Sequence, residues 1–181
     1  MTTERTDSNW FRVDVGTPRF APEAIPFQPK EGETAPFYCV LEHLGRRPFG
    51  IANVGNPHAV VLVENLSNID VANAARDFRE RTAFGEGVNV GFMERSSSDT
   101  IQLRVDERGA GETLACGSGA CAAVAIGRDL AQLDQKVTVV MPGGKLEVSW
   151  PGPKAAIWLS GPAEKVFDGK IKVNGHQQRY S

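Results

Sequence analysis

Residues Glu107–Ala123 read ERGAGETLACGSGACAA, and VAIGRDL follows as far as Leu130. Two glycine-bearing turns flank Cys116, and an Ala- and Gly-rich run begins immediately after it. The spacing predicts a helix from about Gly117 to Leu130 with almost no polar face. Such a helix has to be buried on most of its sides, so other elements must wrap it. Gly109, Gly111, Gly117 and Gly119 allow positive φ and close approach of the backbone to a ligand. A helix starting at Gly117 leaves the amides of Gly117, Ser118 and Gly119 unpaired at the positive end of its dipole. That is a seat for an anion such as a carboxylate. A free thiol with a pKa of ~8.5 is drawn toward ~7 or below at a helix start. One short stretch is therefore predicted to supply both a base or nucleophile and a pocket for negative charge.

Each of these residues also has a plainer reading. A lone cysteine is commonly an inert small hydrophobe, but the glycines and the helix start favour a reactive Cys116. Cys121 lies among alanines on another helix face, and Cys39 sits in an apolar strand; both are expected in the core. Glu107 and Arg108 read equally as an exposed ion pair or as site residues. GNPH, Gly55–His58, reads as a tight turn, with His58 at the surface or satisfied by a partner.

Working outward, WFRVDV (Trp10–Val15) alternates as a strand. The proline-rich APEAIPFQPKEGETAP is expected to be an extended connector. FYCVL, FGIANV and AVVLV read as apolar strands. Asp70 is a good N-cap for a helix carrying Val71, Ala74, Ala75 and Phe78 at helical spacing, broken by FGEG. VNVGFME and TIQLRVDE form a predicted hairpin around RSSSD. After the central helix come strands at KVTVVM, KLEVSW, AAIWLS and EKVFDGKIKV, then a frayed tail. The expected fold class is α+β, mostly antiparallel strands wrapped around a buried central helix.

Bulk properties agree. The chain has 181 residues, a formal charge of −2 and 41% apolar residues, enough to bury a core. That balance argues against disorder and against a nucleic-acid-binding patch. No apolar run approaches a membrane span, and MTTERTDSNW lacks the apolar core of a secretory signal. Three cysteines without a C-x-x-C pair disfavour a disulfide framework or structural zinc and suit a reducing cytoplasm.

ERGAGETLACGSGACAA closely resembles the second catalytic-cysteine motif of the diaminopimelate epimerases. GNPHAV, VNVGFM and GPAEKVFDG resemble that family's other signatures in the same order, over about Phe11–Val173. The resemblance implies interconversion of LL- and meso-diaminopimelate in bacterial lysine and peptidoglycan synthesis, without pyridoxal phosphate, metal or other cofactor. Two cysteines would flank the α-carbon, one removing the proton and the other returning one to the opposite face. Cys116 is implied as one of the pair, with the amides of Gly117 and Ser118 on the α-carboxylate. Asn56 and Asn89 would contact substrate, Glu107 its ammonium and Arg108 its distal carboxylate, while His58 and Glu107 would tune the thiol. Phe167 stands where the family often has a tyrosine at its dimer contact.

A first-domain motif such as CGNGARC is absent, and Cys39 has no glycine beside it. The sequence thus reads as the C-terminal half of such an enzyme. Residues 1–20 form a linker strand toward a missing N-terminal domain, 21–173 the epimerase domain and 174–181 a flexible tail. With one thiol the chain alone is expected to be inactive. Two rival readings are a cysteine-nucleophile hydrolase with His58 as its base, and a non-catalytic ligand-binding remnant.

Overall fold

The computed structural model describes residues 2–6, 9–84 and 87–170. Gly85 and Glu86 of the FGEG break, residues 171–173 of the last predicted strand and the 174–181 tail lie outside the described residues.

In chain order the strands are β1 (Thr3–Arg5), β2 (Trp10–Gly16), β3 (Phe37–Leu41), β4 (Gly45–Asn53) and β5 (Pro57–Val63), then helix α1 (Val71–Arg81). Next come β6 (Asn89–Arg95), β7 (Thr100–Glu107), β8 (Gly111–Thr113), helix α2 (Gly117–Leu130), β9 (Lys136–Met141), β10 (Gly144–Ser149) and β11 (Ile157–Pro162). All described strands join one sheet in the order β1-β2-β11-β10-β9-β7-β6-β5-β4-β3, with β8 added against β7. The pairs are antiparallel except β5–β6 and β7–β9, the two places where a helix carries the chain across.

Those two helices lie against opposite faces of the sheet. In β5, Ala59, Val61 and Val63 pack with Val71, Ala75 and Phe78 of α1, while Val60 packs with the α2 core. β5 is accordingly apolar on both faces, which explains its unbroken hydrophobic run. Asp70 accepts the Asn73 N–H at 3.1 Å and caps α1. α2 is buried from Gly119 through Gly127. It touches β4, β5, β6 and β7 on one side and β10 and β11 on the other, so the sheet curls round it as expected.

Several expectations are corrected. The GNPH turn is narrower than read: Gly55 takes a positive φ of 111°, but Pro57 and His58 already belong to β5. The connector is more than an extended joint, because Ile25 and Phe27 are buried and Phe27 stacks on Phe84 at 4.7 Å. EKVFDGKIKV forms no strand in its described part: β11 ends at Pro162, and 163–170 has no regular structure. One further backbone bond, from the Ala163 N–H to the Asn9 carbonyl at 2.9 Å, follows it. Phe167 on that segment is 81% exposed, beside an exposed Val166. The described residues of the 1–20 linker strand supply β1 and β2, which belong to the same sheet through β2–β11 pairing. No helix among the described residues is long and apolar enough to cross a membrane.

Candidate active site

Register brings the candidate residues to one edge. β5 and β6 run parallel with His58 opposite Asn89, so Asn56, His58 and Asn89 sit at the starts of adjacent strands. β7 runs back against β6 and ends there with Glu107. α2 begins at the same edge, and its N-cap is Cys116.

The cysteine's backbone is extended (φ −138°, ψ 104°), and its Sγ accepts the Gly119 N–H at 3.3 Å. A sulfur thus fills the capping position usually taken by a side-chain oxygen. The Gly117 and Ser118 amides have no acceptor among the described residues, as the first turn of a helix requires. Two unpaired amides therefore lie beside the thiol.

The four glycines divide into two kinds. Gly109 and Gly111 have positive φ and shape the turn between β7 and β8. Gly117 and Gly119 instead allow close packing: a Cβ on Gly117 would meet Leu159 at 2.9 Å, and one on Gly119 would meet Val105 at 3.0 Å and Cys116 Sγ at 3.1 Å. The expectation of positive φ holds for the first two alone.

The thiol's ionisation also departs from expectation. Cys116 is 5% exposed, and burial pushes its pKa up. Hydrogen bonds from Ser118 and from the Gly119 amide oppose that shift, while the nearby Glu107 carboxylate adds to it. The helix start alone would lower the value, but desolvation is the larger effect here. The remaining thiols are further from reactivity: burial raises Cys39 to about 11 and Cys121 to about 12. Both lie in the core as expected.

His58 is fully buried, and burial pulls its pKa down to about 4 against a smaller opposing pull from Glu107. Its Nε2 faces Asn56 Oδ1 at 3.0 Å and Ser118 Oγ at 3.1 Å, and the Ser118 oxygen lies 3.6 Å from Cys116 Sγ. The Cys116–His58 pairing that a thiol hydrolase needs is therefore not formed; Ser118 stands between them. Asn89 is largely committed inside the protein. Its Nδ2 donates to the Pro57 carbonyl at 3.2 Å, and its Oδ1 accepts the Arg108 N–H at 2.8 Å. Arg108 is exposed at the rim, its side chain against Gly87.

Two features escaped the sequence. Thr113 donates to Glu107 Oε1 at 2.7 Å, and it lies on a strand, β8, where the sequence predicts a loop. Arg104 holds β8 from the opposite face, with a two-pronged bond to Glu112 (2.6 and 2.9 Å) and a third bond to the Ile69 carbonyl at 2.9 Å.

Comparison with known proteins bears directly on this site. Residues 50–166 match the family model for diaminopimelate epimerase. The chain belongs to the diaminopimelate epimerase family. It is 43% identical over 94% of its length to a diaminopimelate epimerase from Halorhodospira halophila, of which it covers 58%. It is 44% identical over 90% of its length to an O-ureido-serine racemase from Streptomyces lavendulae, of which it covers 57%. The chain thus spans little more than half the length of these relatives. Among solved structures, a hydroxyproline epimerase from Agrobacterium vitis superposes with a TM-score of 0.56 at 15% identity, covering 85% of this chain and 50% of that one. A predicted epimerase from Pseudomonas aeruginosa superposes with a TM-score of 0.54 at 14% identity, covering 92% and 62%. At such identities these two likenesses speak to fold alone. They agree with the α+β architecture.

Proposed function

We propose that this chain is the C-terminal half of a pyridoxal-phosphate-independent amino-acid epimerase that converts LL- to meso-diaminopimelate, and that Cys116 exchanges the α-proton on one face. The observation that carries the reading is the Cys116 sulfur set beside the unpaired Gly117 and Ser118 amides. An α-carboxylate bound to those amides would bring the α-carbon before the sulfur. The same amides would stabilise the charge that spreads into the carboxylate as the proton leaves. Glu107 would receive the substrate ammonium, Asn56 and the remaining Asn89 N–H would complete the contacts, and Arg108 at the rim would meet a distal carboxylate.

Inversion needs an acid and a base on opposite faces, because a single thiol returns the proton only to the face it left. Cys39 and Cys121 are buried in the core, so neither faces Cys116 across a substrate. The opposing group is assigned to a separate N-terminal domain, whose contact would also close this open edge from water and strengthen each electrostatic interaction in it. Exposed Val166 and Phe167 are the proposed contact for a homodimer. The proposed setting is cytoplasmic lysine and peptidoglycan synthesis.

A second substrate, O-ureido-serine, is favoured by the racemase relative at 44% identity. It shares the α-amino-acid head and differs only at the far end, where Arg108 would meet a neutral ureido group in place of a carboxylate. The test is chiral analysis of both substrates with the chain alone and with the N-terminal region of a relative supplied in trans. The reading predicts no inversion alone, and Cys116-dependent conversion of diaminopimelate in the mixture. Inversion by the chain alone, or conversion of O-ureido-serine only, would contradict it.

A further inference from the structure

We propose that His58 serves this site as a fixed hydrogen-bond donor and not as a base: its Nε2–H aims the Ser118 hydroxyl proton at the Cys116 sulfur, so that Ser118 holds the thiolate and His58 is a positioning residue. This rests on the reading of Cys116 as the proton-exchanging group, and it adds the direction in which every proton around that sulfur points.

His58 is fully buried, and its Nδ1 has no hydrogen-bond partner among the described residues. A neutral imidazole carries one proton, on either nitrogen. On Nδ1 that proton would be a buried donor with nothing to receive it, a loss of ~1–3 kcal/mol. The Nε2 lone pair would then also face the lone pairs of Asn56 Oδ1 at 3.0 Å. On Nε2 the proton meets two oxygens at once, Asn56 Oδ1 and, at 3.1 Å, Ser118 Oγ. Nδ1 then keeps only an unused lone pair, which is the lesser penalty. The low pKa of about 4 keeps the ring in this neutral form over the neutral range.

With its oxygen receiving the imidazole N–H, Ser118 must send its own proton elsewhere. Cys116 Sγ lies at 3.6 Å, within reach for a sulfur acceptor, and already accepts the Gly119 N–H at 3.3 Å. The sulfur is thus met by two donors, the Gly119 amide and the Ser118 hydroxyl, both of which favour the thiolate. Facing them are the charge of Glu107 at the end of β7 and desolvation, which favour the thiol. His58 on β5 is neutral, and Cys121 further along α2 is held protonated by burial. The site is a balance, and the Ser118 proton is a movable weight in it: it can stabilise the anion before the sulfur takes a substrate proton and need not itself be transferred.

The test reads the thiol of the full chain without substrate, so its outcome is separable from whether the chain is an epimerase. The rate of Cys116 alkylation by iodoacetamide is followed against pH, by mass spectrometry of the Cys116 peptide. Ser118→Ala is expected to raise the midpoint by about one pH unit, about tenfold less thiolate at any pH below both midpoints. His58→Leu is expected to raise it by a similar amount, and the S118A/H58L double variant by no more than either alone. His58→Gln restores a donor near the Nε2 position and is expected to keep the wild-type midpoint. An S118A midpoint that stays put, or an H58Q variant as impaired as H58L, overturns the proposal. Should the variants fold poorly, 15N NMR of the His58 ring in the unmodified chain decides. The proposal requires the neutral Nε2–H tautomer from pH 5 to 8; an Nδ1–H tautomer or an imidazolium in that range overturns it.

Discussion

Thr113 braces a candidate site residue with a single hydroxyl, and no motif in the sequence marks it. Its hydroxyl pins one oxygen of Glu107 at 2.7 Å, leaving the other free for the thiol or a ligand ammonium. Thr113→Val keeps the shape and removes the donor. A single such bond is worth ~1 kcal/mol, about fivefold in rate, so T113V should slow Cys116-dependent α-proton exchange about fivefold while T113S stays near wild type. Equal rates for T113V and the parent would show that Glu107 needs no such support. Cys116 itself was legible, because glycines flanking a cysteine before a small-residue run describe a helix start. Its raised pKa was not, because desolvation depends on what the fold stacks over the sulfur, and no sequence neighbour carries that information.

The two helices were readable at the level of elements for different reasons. α1 has an N-cap and a periodic apolar face, while α2 lacks a polar face altogether, and both run over the expected residues. β8 was not readable, since Gly111–Thr113 is too short to show alternation and exists only through pairing with β7 and the Arg104–Glu112 clamp. EKVFDGKIKV shows the converse: its alternation predicts a strand, yet 164–170, its described part, has no regular structure. α2 also carries a glycine that helix propensity disfavours. A Cβ on Gly127 would lie 2.4 Å from Leu133 Cδ1 and 3.3 Å from the Met93 methyl. Gly→Ala in a helix interior gains roughly 0.5–1 kcal/mol, whereas overpacking a tight core loses ~1–3 kcal/mol. Gly127→Ala should therefore lower stability by about 1 kcal/mol or more in denaturant melts. A more stable variant would mean that Leu133 yields freely.

The whole molecule records the buried imidazole in its stability. The folded His58 pKa of about 4 lies below the unfolded value of 6.5, so between those values the unfolded chain binds more protons. Stability should be intact above pH 6.5 and fall as the pH drops toward 4, by up to about 3 kcal/mol from this residue. Carboxylates with depressed pKa values, such as Asp77 and Asp99, act in the same direction only below their ordinary value of 3.8, outside that window. His58→Gln should flatten the fall between pH 6.5 and 4 in denaturant melts; an unchanged slope would place its origin elsewhere. The central claim is simpler than any of these: the Cys116 sulfur, seated beside free amides, removes an α-proton on one face and returns one to the same face. Incubating LL-diaminopimelate with the chain in D2O and following the α-proton signal by NMR tests it directly. The account predicts slow deuterium incorporation at the α-carbon with retained configuration, abolished by Cys116→Ala. Exchange that persists in C116A, or meso product formed by the chain alone, would contradict it.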